Sequence, residues 1–458
     1  MIENDAFKLL LINLFHLNPD DIANIFCTTF NKMMVLLVTL ADKHQACPYC
    51  GFTAPKIKEY VTKEITHSAL TTQKCIIKYR ARRYKCSCCG KTYYEFNPFV
   101  FKSQKISILT VHNILKDLKD FNETFTSVAR RYHVSPTSVS TIFDKHVDIG
   151  RNPLPEIINF DEVYAFKSEK SKYVCVLLDF KKQIPVDVLP NRKKEYLLNY
   201  FQKIPLEERK KVKYACSDMY EVYRDVVHKV FPSCCMLLDY FHLSQDFHRK
   251  MNEVRIKVMK GYKDNKASDE YYLLKKFNWL LFKNPEDEDK YGRLFDVERE
   301  RKYNSHFKSY MNYYDLRKKL LEINNDLTIC YSLKLELVDF YSKSTIDNAK
   351  VNLENLIRSC IDTNIEEMIK FSNNLINWKQ EIINSFTIVG TEYKVEADKG
   401  QVVVCNKKVN NAIIENRNKI IKCIKNNANG YTNWSRFRNR VMYVLDPNAT
   451  FSLKPREK

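Results

Sequence analysis

Two short cysteine pairs constrain this chain more than any other feature. Cys47-Pro-Tyr-Cys50-Gly51 and Cys86-Ser-Cys-Cys89-Gly90 are both Cys-x-x-Cys turns followed by glycine. Four thiolates in two such turns supply a tetrahedral Zn²⁺ site, and the trailing glycine lets each turn close around the ion. Cys88 is an alternative to Cys89 with slightly different geometry, but the Cys-x-x-Cys spacing favours Cys89. The 15 cysteines are an odd number in a long basic chain, which argues against a disulfide framework. The others mostly lie in apolar contexts and read as small buried hydrophobes. Residues 57–83, between the pairs, are strand-like and end in the basic cluster Lys78, Arg80, Arg82 and Arg83, followed by Lys85. The unit is therefore either a structural clip or one that also touches phosphate groups.

The balance of 75 Lys and Arg against 55 Asp and Glu leaves a formal charge of +20. This favours a polyanionic partner through phosphate neutralisation and counterion release, with nucleic acid as the first reading. An anionic membrane surface would match the same charge, but no apolar run approaches the roughly 20 residues a span needs. The opening residues, which include Glu3 and Asp5, lack the basic, apolar and small-residue order of a signal peptide. The expected location is the cytoplasm, at the nucleoid.

The chain divides into five segments. Residues 1–100 form a zinc-binding unit. Residues 101–152 change to helical spacing, with Ile106, Leu109, Ile114, Leu115 and Leu118 on one face. Within them, a short helix carrying Val128 and Ala129 inward is expected to end at Tyr132 and His133. A second helix follows, with Ser135 as its cap and Pro136 at its first position. This reads as a helix-turn-helix that presents Thr137, Ser138 and Thr141 to a DNA groove and Arg130 and Arg131 to phosphates, or as an ordinary helical hairpin. Two prolines, Pro153 and Pro155, mark the next boundary. Residues 153–261 begin with strand-like runs at 157–166, 173–180 and 184–189, then alternate helices with short strands at 214–216 and 235–238. That is the order of an RNase H-like mixed sheet. Residues 262–392 read as an all-helical insertion, and residues 393–458 as the end of the core with a basic aromatic tail.

Phosphoryl transfer on DNA without a covalent intermediate calls for two divalent metals held by carboxylates. In an RNase H-like core the carboxylates come from the first strand, the end of the fourth strand and a late helix. Asp161 lies on the first strand and Asp218 ends the fourth, although Asp218 equally suits a cap for the helix beginning near Met219. In the expected helix 409–426, Asn411, Glu415, Asn418 and Lys422 fall within about 60° as one polar stripe, opposite Ile413, Ile414, Ile420, Ile421 and Ile424. The stripe either turns Glu415 toward the metals or is a solvated face.

Together these residues resemble the bacterial insertion-sequence transposases of the IS-L-three type, which join an N-terminal zinc finger to a DDE core. The likeness covers nearly the whole chain. It rests on the cysteine pairs, the helix-turn-helix, Phe160-Asp161-Glu162, Ser217-Asp218-Met219 and Leu238-Asp239-Tyr240-Phe241-His242. It continues in Asn411 through Asn418 and in the segment Gly430 to Arg440. It departs from the family pattern at Ala412, Asn416 and Arg417, none of which removes a carboxylate.

The resemblance implies that Asp161, Asp218 and Glu415 bind two Mg²⁺ or Mn²⁺, with Zn²⁺ as a structural ion. Asn411 and Asn418 would support the site. Asp239 and His242 would stand behind the metal ligands or face DNA, with Asp239 alternatively capping the next helix. Lys422, Arg436 and Arg438 are further candidate DNA contacts, and Tyr431, Trp434, Phe437 and Arg440 join the last two in a segment that either clamps a DNA end or belongs partly to the core. The implied function is binding of the element's terminal inverted repeats, strand cleavage, and strand transfer into double-stranded target DNA by a homodimer or larger assembly. The alternatives are a non-catalytic regulator derived from a transposase, or a zinc-containing DNA nuclease without strand transfer.

Overall fold

The computed structural model describes residues 2–43, 46–68, 73–101, 104–166, 171–395 and 402–456. Helix α1 (Ile2–Leu14) packs Leu11 and Ile12 onto a sheet of β1 (Ile22–Phe30), β2 (Met33–Leu40), β3 (Lys56–Thr66), β4 (Cys75–Lys85) and β5 (Thr92–Tyr94). The strand order is β1-β2-β4-β3, with β5 against β4. Asn31 and Lys32 both take positive φ, 48° and 60°, in the two-residue turn that joins β1 to β2; such turns match the twist of paired strands. The basic cluster of β4 is largely neutralised within the sheet. Lys78 meets Glu64 at 2.8 Å, Arg82 meets Glu95 at 2.8 Å and Arg83 meets Glu59 at 2.6 Å.

Three helices follow, α2 (Ile108–Asp117), α3 (Phe125–Arg131) and α4 (Pro136–His146), with side-chain caps from Ser107, Thr124 and Ser135 respectively. His133 turns the chain between α3 and α4 at a φ of 53°. Val128, Ala129, Val139, Ile142 and Phe143 form their shared core, on the faces expected from the spacing.

The central sheet contains β6 (Ile157–Val163), β7 (Val174–Asp179) and β8 (Pro185–Leu189), then β9 (Tyr214–Ser217) and β10 (Cys235–Leu238) after α5 (Lys194–Gln202), α6 (Leu206–Arg209) and α7 (Glu221–Val230). The strand order is β10-β9-β6-β7-β8; the β6–β7 and β7–β8 pairs are antiparallel, and the β6–β9 and β9–β10 pairs are parallel. Parallel strands need layers on both faces, and that is the arrangement here. Ile158, Phe160 and Leu177 meet Leu197, Phe201, Tyr223 and Val226 on the α5 and α7 side.

Beyond the sheet run α8 (Tyr240–Lys260), α9 (Asp269–Lys276), β11 (Glu288–Asp289), β12 (Gly292–Arg293), β13 (Lys302–Asn304) and β14 (Ser309–Met311). They are followed by α10 (Tyr313–Glu322), α11 (Asn325–Lys343), α12 (Ala349–Asp362), α13 (Glu366–Asn377) and α14 (Lys379–Asn384). The all-helical expectation for 262–392 is corrected, because two short antiparallel hairpins, β11–β12 and β13–β14, interrupt the helices. These strands are two or three residues long and mostly exposed, so they leave no alternating apolar pattern to read. Helix α14 covers the β10 edge, where Asn384 Nδ2 donates to the Met236 carbonyl at 2.9 Å; a covered edge no longer offers an open ladder to other strands.

A hairpin of β15 (Ile388–Val395) and β16 (Val402–Lys408) precedes α15 (Ala412–Asn427) and α16 (Trp434–Leu445). The hairpin crosses the expected boundary at residues 392 and 393. Ile414, Ile421, Phe437 and Val441 of α15 and α16 cover the second face of the central sheet, against Val174, Val176, Leu178 and Val188.

Of the two readings of 430–440, a clamp on DNA or a part of the core, the fold places part of the segment in the core. Phe437 and Arg440 are buried, and Arg440 donates to the carbonyls of Asp120 and Glu123, at 2.8 and 2.7 Å, between α2 and α3. Tyr443 enters the core of the three-helix unit, and Lys119 Nζ holds the Asp446 and Ala449 carbonyls at 2.8 and 2.6 Å. Arg440→Ala strands those carbonyls and opens a cavity, so it should cost about 2–4 kcal/mol. Arg436→Ala, which breaks the half-exposed pair with Asp144, should cost roughly 0.5–1 kcal/mol. Denaturant melts followed by circular dichroism compare the two, and equal losses would show that Arg440 is not the internal anchor.

Candidate functional site

The register of the parallel strands places three aspartates at one level. Asn159 of β6 pairs with Cys216 of β9, and Leu238 of β10 pairs with Ser217. Asp161, Asp218 and Asp239 therefore stand side by side at the carboxyl ends of adjacent strands, where ligands of open α/β sheets gather. Asp161 and Asp239 are buried. Burial holds the Asp161 carboxyl up at about 7, with the Asp218 charge adding to the rise and the Glu162 backbone N–H opposing it. Burial also holds Asp218 up at about 7, reinforced by Glu162 and Asp239 and opposed by Arg192. Asp239 is raised as well, again chiefly by burial.

Helix α15 brings the fourth carboxylate. Asn418 Nδ2 donates to Asp161 Oδ2 at 2.7 Å, Asn411 Nδ2 to the Phe160 carbonyl at 3.3 Å, and Asn159 Nδ2 to Asn411 Oδ1 at 2.7 Å. These amides bind the helix to β6 and hold Glu415, one turn in from Asn411, over the aspartates. The polar stripe thus faces the site at this end and emerges at exposed Lys422. One expectation is corrected. Ile414 and Ile421, which are fully buried, lie only roughly 40–60° from Asn418, the nearest edge of the stripe, at 100° per residue. The apolar surface flanks the stripe instead of opposing it, because one side of the helix meets both the sheet interior and its functional end.

His242, in the first turn of α8, closes the cluster. Its Nε2 is 3.8 Å from Asp239 Oδ2 and 4.0 Å from Glu415 Oε1. Donor atoms of Asp239, His242 and Glu415 all lie within 4.8 Å of one another. Asp218 Oδ1, Asp239 Oδ2 and His242 Nε2 are buried and have no hydrogen-bond partner. Buried carboxylates are costly unless something cationic compensates them, so the donor set fits divalent cations. Arg192 adds to the site by pairing with Glu162 and lying 4.7 Å from the Tyr220 ring centroid. Sequence reading missed Arg192, whose only trace was a basic turn after β8, and Asn159, whose trace was a lone amide in an apolar strand.

The cysteine pairs converge in the first sheet. Cys47 Sγ is 3.7 Å from Cys89 Sγ, and Cys50 Sγ is 3.5 Å from Cys86 Sγ. The edge of a tetrahedron with ~2.3 Å Zn–S bonds is ~3.8 Å. Gly51 and Gly90 take φ of 76° and 72°, and their N–H groups close each turn onto the Cys47 and Cys86 carbonyls at 2.8 and 3.0 Å. Backbone N–H groups, of Cys89 first and also of Cys88, hold the Cys86 thiol down at about 7. The cluster is compatible with zinc and excludes Cys88.

The candidate DNA contacts separate into two groups. Arg130, Thr137 and Thr141 are exposed, and Ser138 is half-buried beside its partner Ser135. Thr137, Ser138 and Thr141 line a groove with Lys105 and Lys145. Arg131 is held by Asp117 and Glu123, Arg436 by Asp144, and Arg438 by Asp187. These three guanidiniums serve internal contacts, which spacing along the chain does not reveal.

The cysteine geometry sets an expected metal content of one zinc per chain, unchanged in Cys88→Ser and lost in Cys86→Ser, as read by elemental analysis. The raised carboxyls set a pH dependence. Between the ordinary carboxylate value near 4 and about 7, the metal-free folded chain binds more protons than the unfolded one, so its stability falls as pH rises through that window. Asp218→Asn should therefore raise the Tm of chain freed of divalent cations by roughly 2–6 °C at about pH 8 and change it little near pH 4. Thermal melts at the two pH values test this, and a Tm lowered at both would contradict it.

The comparisons agree with this geometry. A family model described as a transposase, of the DDE IS-L-three type, matches residues 158–397, more than half of the chain. The match takes in Asp161, Asp218, Asp239 and His242. The transposase for insertion sequence element IS1001 of Bordetella parapertussis is 19% identical over 409 residues, which cover 89% of this chain and 90% of that protein. No helix among the described residues is long and apolar enough to cross a membrane. With its aspartates level across three parallel strands and a helix carrying a further carboxylate over them, the chain belongs to the IS-L-three family of DDE transposases.

Proposed function

We propose that this chain binds the terminal inverted repeats of an insertion sequence, cuts DNA at the element ends and joins the freed ends to target DNA. The observation that carries the reading is the level row of Asp161, Asp218 and Asp239 with Glu415 held over it by α15. The central sheet and its covering helices are read as an RNase H-like core in two parts, 153–261 and 393–458, with 262–392 inserted between them. Residues 1–100 are read as a zinc-binding domain and 101–152 as a helix-turn-helix. The Thr137, Ser138 and Thr141 groove of α4 faces bases in this reading, while exposed Arg130 and Lys422 meet phosphates.

Asp161, Asp218 and Glu415 hold two divalent cations, Mg²⁺ or Mn²⁺. When bound, these cations activate the attacking oxygen and stabilise the leaving one. The chain's own residues set the geometry: Asn418 fixes the Asp161 carboxylate, Asn411 and Asn159 fix the entry of α15, and Arg192 restrains Glu162 beside Asp218. In the first step a water oxygen bonds to phosphorus at the element end and the 3′-oxygen leaves with a proton. In the second step that 3′-hydroxyl loses its proton, bonds to a phosphorus of target DNA and displaces another 3′-oxygen, which takes up a proton. Pairing of two ends calls for a dimer or larger assembly on DNA.

A cleavage and joining assay on DNA bearing the element's own ends, with wild type and Glu415→Gln in Mg²⁺, tests the reading. The expected result is joined product from wild type and a loss of at least ~10³-fold in the variant. Binding of the ends without any cutting would mark the chain as a DNA-binding regulator. Cutting without joining would mark it as a nuclease, and cutting unaffected by the substitution would displace Glu415 from the site.

A further inference from the structure

We propose that Asp239 and His242 are direct ligands of the cation on the Glu415 side of the site, and that His242 Nε2 gives this cation one nitrogen donor and a preference for Mn²⁺ over Mg²⁺. This rests on the two-metal reading above and extends the ligand set beyond the three acids. Asp239 occupies the N-cap position of α8, yet its Oδ1 takes the Asn411 backbone N–H, 3.3 Å away, and its Oδ2 has no partner. The residue is only 3% exposed, so water cannot readily solvate that oxygen. His242 Nε2 also has no partner and sits between two carboxylates, 3.8 Å from Asp239 Oδ2 and 4.0 Å from Glu415 Oε1.

Those separations are too long for hydrogen bonds, whose N···O distances run about 2.7–3.2 Å. They suit atoms that share an ion, since two ligands on bonds of about 2.1 Å stand at most ~4.2 Å apart. The two orphaned atoms, at the end of β10 and in the first turn of α8, share one space with Glu415 in the first turn of α15, all three donors lying within 4.8 Å of one another. Arg192, whose charge acts on Asp218, is engaged with Glu162. A cation at Asp239, His242 and Glu415 would therefore leave the Asp161 and Asp218 end free for a second one. Mg²⁺ favours oxygen ligands and near-ideal octahedral geometry, whereas Mn²⁺ accepts an imidazole in a carboxylate site more readily.

Pulsed electron paramagnetic resonance of the zinc-loaded full-length chain with Mn²⁺ tests the assignment, since it reports nitrogen bonded directly to the ion. Wild type should give a directly coupled nitrogen that disappears in His242→Ala and survives in His228→Ala, a change at an exposed histidine. Mn²⁺ affinity should fall by at least ~10-fold in His242→Ala, with a smaller change for Mg²⁺. An all-oxygen environment in wild type, or a nitrogen signal that persists in a folded His242→Ala protein, overturns the proposal and leaves the two-metal reading intact. Should His242→Ala fail to fold, the wild-type spectrum alone decides. Mn²⁺ binding unchanged in both Asp161→Asn and Glu415→Gln overturns the two-metal reading itself, and this proposal with it.

Discussion

The hydrogen bonds of side-chain amides between α15 and β6 are the contacts on which the candidate site of this protein depends. Asn418 reaches Asp161, Asn411 reaches the Phe160 carbonyl, and Asn159 reaches back to Asn411. Side-chain amides suit this task because they both donate and accept without adding charge to a crowded anionic cluster. Without them α15 would still lie on the sheet through Ile414, Ile421 and Ile424, since apolar packing fixes the face of a helix. Packing alone sets its sliding position less sharply, and it is the sliding position that decides whether Glu415 meets the aspartates.

Concentrating carboxylates in a buried place opposes stability. The environment pushes Asp161 and Asp218 up to about 7, and each pKa unit corresponds to about 1.4 kcal/mol of preference for the neutral form. The surrounding fold tolerates this because apolar layers lie on both sides of the sheet. Tyr223, Val226 and Phe201 pack one face, and Phe437, Val441 and Ile421 pack the other. Carboxylates that the fold would rather see neutral are groups whose charge a bound divalent cation would offset.

The last segment of the chain connects this site to the three-helix unit. Arg440 and Tyr443 of α16 anchor α2 and α3, and the carbonyls of Asp446, Ala449 and Ser452 receive Lys119 and His146. These contacts join residues roughly 300 positions apart in the chain, so the unit proposed to bind DNA and the helix layer that carries Glu415 form one packed body. The basic, aromatic composition of 430–440 suggested either a surface for DNA or a part of the core. In the fold, the same rings and guanidiniums bridge two parts of the protein, because a long amphipathic side chain serves a carbonyl or an aspartate as well as a phosphate.

The sequence by itself determined the elements that rest on local chemistry. The cysteine turns with their glycines, the Ser135-Pro136 start of α4, the strand runs of the central sheet and the places of Asp161 on β6, Asp218 just after β9 and Glu415 on a late helix were all legible, since each element depends on neighbours a few residues away. The short hairpins of the helical segment, the partners of Arg131, Arg436 and Arg438, the role of Asn159 and the placement of Arg192 were not. Asp239 and His242 were visible as a motif, but their alignment with Asp218 and Glu415 was not. Only the tertiary structure decided these, because strand register and helix docking bring together residues that no spacing along the chain relates, and burial then determines which charges are spent inside the fold and which remain to meet a ligand.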